Sequence, residues 1–115
     1  MWIQIDQHLI NSNKLQGFVY NPDLKNILVI LSDTILFIKN NIDLNDTLTY
    51  CEFINDMYDL NLHFFEYGSI NIDNISNLLI NDNNVYIVHN IDKYILLGTI
   101  NKLPKDVILQ SSMEI

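Results

Sequence analysis

The sequence predicts an α+β fold: a mainly antiparallel sheet with one amphipathic helix packed on it and one or two short helices, in a single domain spanning residues 1–115. Three observations predict it. Apolar residues fill 49% of the 115 positions against 17% charged, enough to bury a core in a chain too short for two domains. Stretches rich in β-branched and aromatic residues lie toward both ends. Between them, residues 44–60 form the one segment with a convincing helical apolar period.

The first third reads as strands. Trp2, Ile3 and Ile5 open an extended segment, and residues 15–20 continue the pattern of a half-buried pleated surface. Asn21, Pro22 and Asp23 mark a turn, because proline presets its φ and the two flanking side chains can satisfy turn backbone. Residues 27–31 and 34–39 flank Ser32 and Asp33 at the spacing of a two-residue hairpin. The helix follows, with Asp43 or Asn45 as its cap and Asp46 placed where negative charge favours a helix amino end. Wound at about 100° per residue, Leu44, Thr47, Cys51, Ile54 and Tyr58 share one face, with Leu48 at its edge. That face is expected to pack on the sheet.

Beyond the helix, residues 62–66 read as a strand ending at Tyr67 and Gly68. Residues 73–80 suggest a short helix capped by Asp73, and residues 81–84 a loop. Residues 85–89 and 93–100 form a second hairpin joined through 90–92. Pro104 suits the first turn of a terminal helix, while 106–110 equally suits an edge strand.

The charge is −8, from 14 acidic residues against six basic ones, all of them lysine. Scattered lysines without arginine make no phosphate-binding patch, so direct nucleic-acid binding is not expected, and docking on anionic lipid is disfavoured for the same reason. A basic partner would be attracted instead. Alanine is absent as well as arginine, while Asn, Ile and Leu dominate, which is the mark of an A+T-rich genome such as that of a phage, virus, mobile element or low-G+C bacterium. One cysteine forms no internal disulfide, the amino end lacks a cationic secretory leader, and the apolar run 27–38 is cut by Ser32 and Asp33. A soluble, cytoplasmic protein is the expectation.

No residue pattern for catalysis stands out. His8, His63 and His89 fall in no metal-ligand spacing and read as surface or partly buried side chains. Cys51 lies on the apolar helix face, where a thiol pKa rises, so it reads as a packed core thiol rather than a nucleophile. The serines sit in no nucleophile motif, and three dispersed glycines make no phosphate loop. Neither enzyme activity nor a cofactor or metal is expected.

What carries a functional expectation is the other side of the helix. Glu52, Asp56 and Asp59 gather within a narrow arc with Phe53 beside them, and Asp46 adds charge toward the amino end. An ordinary solvated helix face is often charged for solubility alone, but it usually carries lysine partners one turn away. Here no lysine occurs between Lys39 and Lys93. Carboxylates one turn apart are about 5–6 Å apart at Cβ, near the phosphate spacing of a nucleic-acid strand. The six tyrosines and one tryptophan add side chains of the kind enriched at binding hot spots.

These observations lead to an expected non-enzymatic inhibitor that occludes a basic, nucleic-acid-handling surface of a partner such as a nuclease. It would be an anti-defence protein of the anti-CRISPR kind, or an immunity-type protein, binding through Asp46, Glu52, Phe53, Asp56 and Asp59. The alternative is an assembly subunit, a homodimer or larger oligomer, whose sheet edges, at 85–89 or at the amino-terminal strand, pair with another copy.

Overall fold

The computed structural model describes residues 1–75, 77–89 and 93–102. Strands β1 (Trp2–Ile5) and β2 (His8–Asn11) form a hairpin. Next come β3 (Leu15–Asn21), β4 (Asn26–Leu31) and β5 (Ile35–Ile38), then helix α1 (Leu44–Tyr58), β6 (Leu62–Phe64) and β7 (Gly68–Asn71). Five of these strands make an antiparallel sheet in the order β5-β4-β3-β7-β6. Three further strands, β8 (Leu78–Asn81), β9 (Asn84–His89) and β10 (Lys93–Thr99), make a second antiparallel sheet in the order β10-β9-β8. The α+β class is therefore as the sequence predicts, although the short helical pieces among the described residues are single 3-10 turns, at Ser12–Lys14 and Ile100–Lys102.

The five-stranded sheet is covered on both faces. On one, Phe18, Ile27 and Val29 pack against Cys51 and Ile54 of α1 and against Ile3, Ile5 and Ile10 of the β1-β2 hairpin. On the other, Val19, Ile30 and Ile70 meet Val85, Ile87 and Leu97 of the second sheet. Strands β3 and β4 thus send successive residues into opposite cores. This is why 27–31 is a continuous apolar run: a strand covered on both faces has no polar side to alternate with.

Glycine sets the closeness of β3 to β7. Gly17 lies opposite Ile70 and Gly68 opposite Val19. A Cβ at Gly17 would collide with the Ser69 carbonyl oxygen, and one at Gly68 with that of Phe18. Gly68 opens β7, whereas the sequence suggests the end of the preceding strand there.

The expected helix at 73–80 is not formed. Asn71 accepts hydrogen bonds from the Asp73 and Asn74 amides, at 3.4 Å to its side chain and 3.0 Å to its carbonyl, so these residues close a turn. Leu78–Asn81 then pairs with β9, and this tertiary pairing overrides any local helical preference. The expected loop at 81–84 contracts to a two-residue turn, with Asp82 at φ 51° and Asn83 at φ 66°, the left-handed geometry of a tight hairpin. The strand expected at 62–66 stops at Phe64, because the Phe65 amide closes onto the Gly68 carbonyl at 2.7 Å and Phe65 turns into the second core. The readings at 90–92 and beyond Pro104 lie outside the described residues.

Candidate functional site

The exposed face of α1 is built by how the helix is anchored. Asp43 is the cap: its Oδ1 accepts the Asp46 amide at 2.8 Å, and its carbonyl accepts the Thr47 hydroxyl at 3.0 Å. Asp59 closes the other end in the left-handed conformation at φ 53°, its amide bonded to the Asn55 carbonyl. Thr47, Cys51 and Ile54 are buried as the helical period predicts. Burial pushes the Cys51 thiol up to about 12, consistent with a packed and unreactive core thiol.

Two tyrosines lock the helix to the hairpin. The Tyr58 hydroxyl accepts the Gln4 amide at 2.9 Å and donates to the Gln4 carbonyl at 3.3 Å, and the Tyr50 hydroxyl accepts the Asp6 amide at 3.0 Å. Partial burial raises the Tyr50 pKa. Tyr20 donates to the Ile42 carbonyl at 3.0 Å. Three of the six tyrosines read as hot-spot candidates are therefore bonded to backbone inside the fold.

With the helix held this way, Asp46, Glu52, Phe53, Asp56 and Asp59 all face outward. Phe53 is 55% exposed, and Met57, one turn later, is 54% exposed. At about 100° per residue, Phe53 falls between Asp46 and Asp56, and Met57 lies just beyond Asp46 on its other side. The described ion pairs lie elsewhere: Lys14 to Asp33 at 2.9 Å and Lys39 to Asp6 at 3.4 Å. Lys39 also sits 5.0 Å from the centroid of the Tyr50 ring, on the helix's inner flank. Among the described residues, none of the four carboxylates on the outer face is ion-paired.

Comparison with protein families, curated proteins and solved structures gave no match. The surface therefore stands on its own geometry.

The histidines do not converge. His8 is exposed, His63 has Nε2 3.1 Å from Asn61 Oδ1, and His89, deeper than the sequence suggests, is buried with Nε2 2.9 Å from the Leu31 carbonyl. Among the described residues, no three His, Cys, Asp or Glu side chains group as metal ligands, and no helix is long and apolar enough to cross a membrane.

One expectation about sheet edges needs correction. Residues 85–89 form β9, the middle strand of its sheet, so they present no edge. At the amino-terminal strand, Tyr58 engages Gln4 of β1 and Tyr50 engages Asp6 in the turn that follows it.

Sequence reasoning also missed a cleft of about 600 Å³, where Tyr20 and Val19 of β3, Leu44 of α1, Tyr67, and Tyr94 and Leu96 of β10 converge. These residues come from separate elements and share no local spacing, so no sequence pattern announced them.

Proposed function

We propose that this chain is a small acidic, non-enzymatic binding protein that inhibits its partner by covering a basic, nucleic-acid-handling surface. The observation that carries the reading is the outward face of α1, where Asp46, Glu52, Asp56 and Asp59 border the exposed Phe53 and Met57 without a described ion pair. Carboxylates at helical spacing offer negative charge where phosphates would otherwise sit. The net charge of −8 speeds the encounter with a cationic surface, and the apolar pair supplies the desolvated contact that slows release.

The composition points to an A+T-rich source, and the role fits an anti-defence protein of a phage or mobile element acting on a nuclease or CRISPR effector in the host cytoplasm. An immunity protein that neutralises a basic toxin uses the same chemistry.

The test takes a partner recovered with the tagged chain from its native host and measures association of the purified pair by stopped flow. Glu52→Lys, Asp56→Lys and Asp59→Lys together are expected to cut the association rate tenfold or more, and labelled nucleic acid should compete for the partner. Raising ionic strength should weaken the wild-type encounter steeply. Unchanged association of the triple variant would reduce the helix face to a solubility feature and end the proposal.

A further inference from the structure

The cleft of about 600 Å³ beside the end of β3 has a structural cause. β3 pairs with β7 only as far as Val19, opposite Gly68, and runs on from there without that neighbour. The Tyr20 amide turns instead to the Tyr67 carbonyl at 2.8 Å, and the Tyr67 amide reaches the Leu97 carbonyl of β10 at 2.7 Å. Tyr67 thus ties the end of one sheet to the other, and the space beside that tie is left unfilled.

The walls of this space are uneven in chemistry. Tyr20, Tyr67 and Tyr94 bring three rings, and Leu28 and Leu96 add aliphatic surface. The Tyr20 hydroxyl is committed to the Ile42 carbonyl, which holds its ring in place. The hydroxyls of Tyr67 and Tyr94 make no hydrogen bond among the described residues, and Tyr94 is 53% exposed. Asp23 is the one charged side chain that lines the cleft among the described residues, and it has no ion pair there. Its position is set by the Asn21 side chain, which accepts the Asp23 amide at 3.2 Å. Lys25, the nearest lysine in sequence, lines a separate depression with Asn41 and Asp46.

Such walls select a ligand by charge. Aromatic faces are electron-rich and attract a cation. Asp23 adds a full negative charge, and the net −8 of the chain draws cations and repels anions. Tyrosine rings and leucines cannot replace the hydrogen bonds that a bare ammonium loses on leaving water, so an ammonium capped by methyl groups suits them better. The volume falls within the roughly 300–1,000 Å³ of small-molecule sites.

We propose that this cleft binds a small organic cation, an alkylated ammonium head on an apolar body, with Tyr67 and Tyr94 against the head and Asp23 as its counter-ion. The site is separate from Glu52, Phe53, Asp56 and Asp59 on the outward face of α1. It therefore stands or falls independently of the inhibitory role.

The probe is choline, titrated into the isotope-labelled full chain and followed by backbone amide chemical shifts. Its control is the neutral tert-butyl isostere, in which carbon replaces the charged nitrogen. Choline is expected to saturate with a Kd of about 1 mM or lower, moving the amides of residues 19–23, 67 and 94–96. The neutral isostere should bind about tenfold more weakly. Asp23→Asn and Tyr94→Ala alter exposed side chains and should leave the rest of the spectrum in place. Each should weaken choline about threefold or more, the scale of one exposed cation–ring or ion-pair contact. Asp23→Asn keeps the side chain's shape, so its effect reads the charge alone. Failure to saturate by about 10 mM overturns the proposal. So do equal affinities for choline and its isostere, or shifts centred on the α1 carboxylates rather than on the cleft.

Discussion

The two faces of the five-stranded sheet are covered by different means. Under α1, the covering layer is fixed largely by directional bonds: Tyr58 to Gln4, Tyr50 to Asp6, Asn55 to Leu62, and the Asn74 side chain at 2.9 Å from both the Ser12 and Leu15 carbonyls. The helix itself buries only Thr47, Cys51 and Ile54, and most of the apolar filling comes from Ile3, Ile5 and Ile10 of the hairpin. On the opposite face, Val85, Ile87 and Leu97 press on Val19, Ile30 and Ile70, and shape does more of the fitting. The difference shows what the helix is suited for. An element that adds little to the core, and is held by its tyrosines, can carry outward four carboxylates that make no ion pair among the described residues, at small cost to folding.

The largest test breaks each core at its centre. Phe18→Ala empties a fully buried site under the helix and is expected to cost about 3–5 kcal/mol, and Ile87→Ala on the far face about 2–5 kcal/mol. Urea titrations followed by circular dichroism measure both. β3 and β4 send side chains into both cores, so each variant should unfold in one transition. Two separate transitions in either variant would show that the layers fold independently.

A smaller effect singles out the helix side through Cys51. Burial raises its folded-state pKa from the ordinary 9.0 to about 12. Below pH 9 both folded and unfolded chains keep the thiol proton, so the stabilising effect is fully present. Above it the unfolded chain releases the proton while the folded chain holds it. Stability therefore falls as pH rises toward 12, by at most about 1.4 kcal/mol per pH unit from this group. Comparing the alkaline slope of wild type with that of Cys51→Ala isolates the effect. Equal slopes would mean that the thiol ionises in the folded protein. The native chain should likewise leave Cys51 unreacted with a thiol reagent at pH 8.

The difference between the faces also tracks what the sequence made legible. Helix α1 and its buried residues follow from a local period, and Ser32 and Asp33 announce their hairpin by spacing. The outward placement of Glu52, Asp56 and Asp59 follows from the same wheel, so the candidate surface was readable. The second layer was not. Leu78, Leu79 and Ile80 are apolar without alternation, and only pairing with β9 makes them a strand. β2 is similarly silent, since His8, Leu9, Ile10 and Asn11 carry one buried residue in four. Tyr50, Tyr58 and Tyr20 bond backbone groups that composition cannot point to, although the wheel already turns Tyr58 toward the sheet. Their acceptors and donors lie 44, 54 and 22 residues away.

The smallest test asks whether those inward hydroxyls govern the helix layer alone. Tyr50→Phe leaves the Asp6 amide without its acceptor, and Tyr58→Phe does the same to the Gln4 amide, while keeping the rings that pack against the core. The cost should be about 0.5–1.5 kcal/mol per bond lost, one at Tyr50 and two at Tyr58, with the Gln4 pair toward the lower end because that residue is exposed and water can replace the hydroxyl. Hydrogen exchange supplies the sharper readout. The Asp6 and Gln4 amides should lose protection in the matching variant, while the amides of Ile87 and Leu97 on the far face keep theirs, because the loss opens the hairpin edge without disturbing the second sheet. If protection falls on both faces together, the tyrosine bonds stabilise the whole molecule, and the helix is a structural keystone rather than a display element.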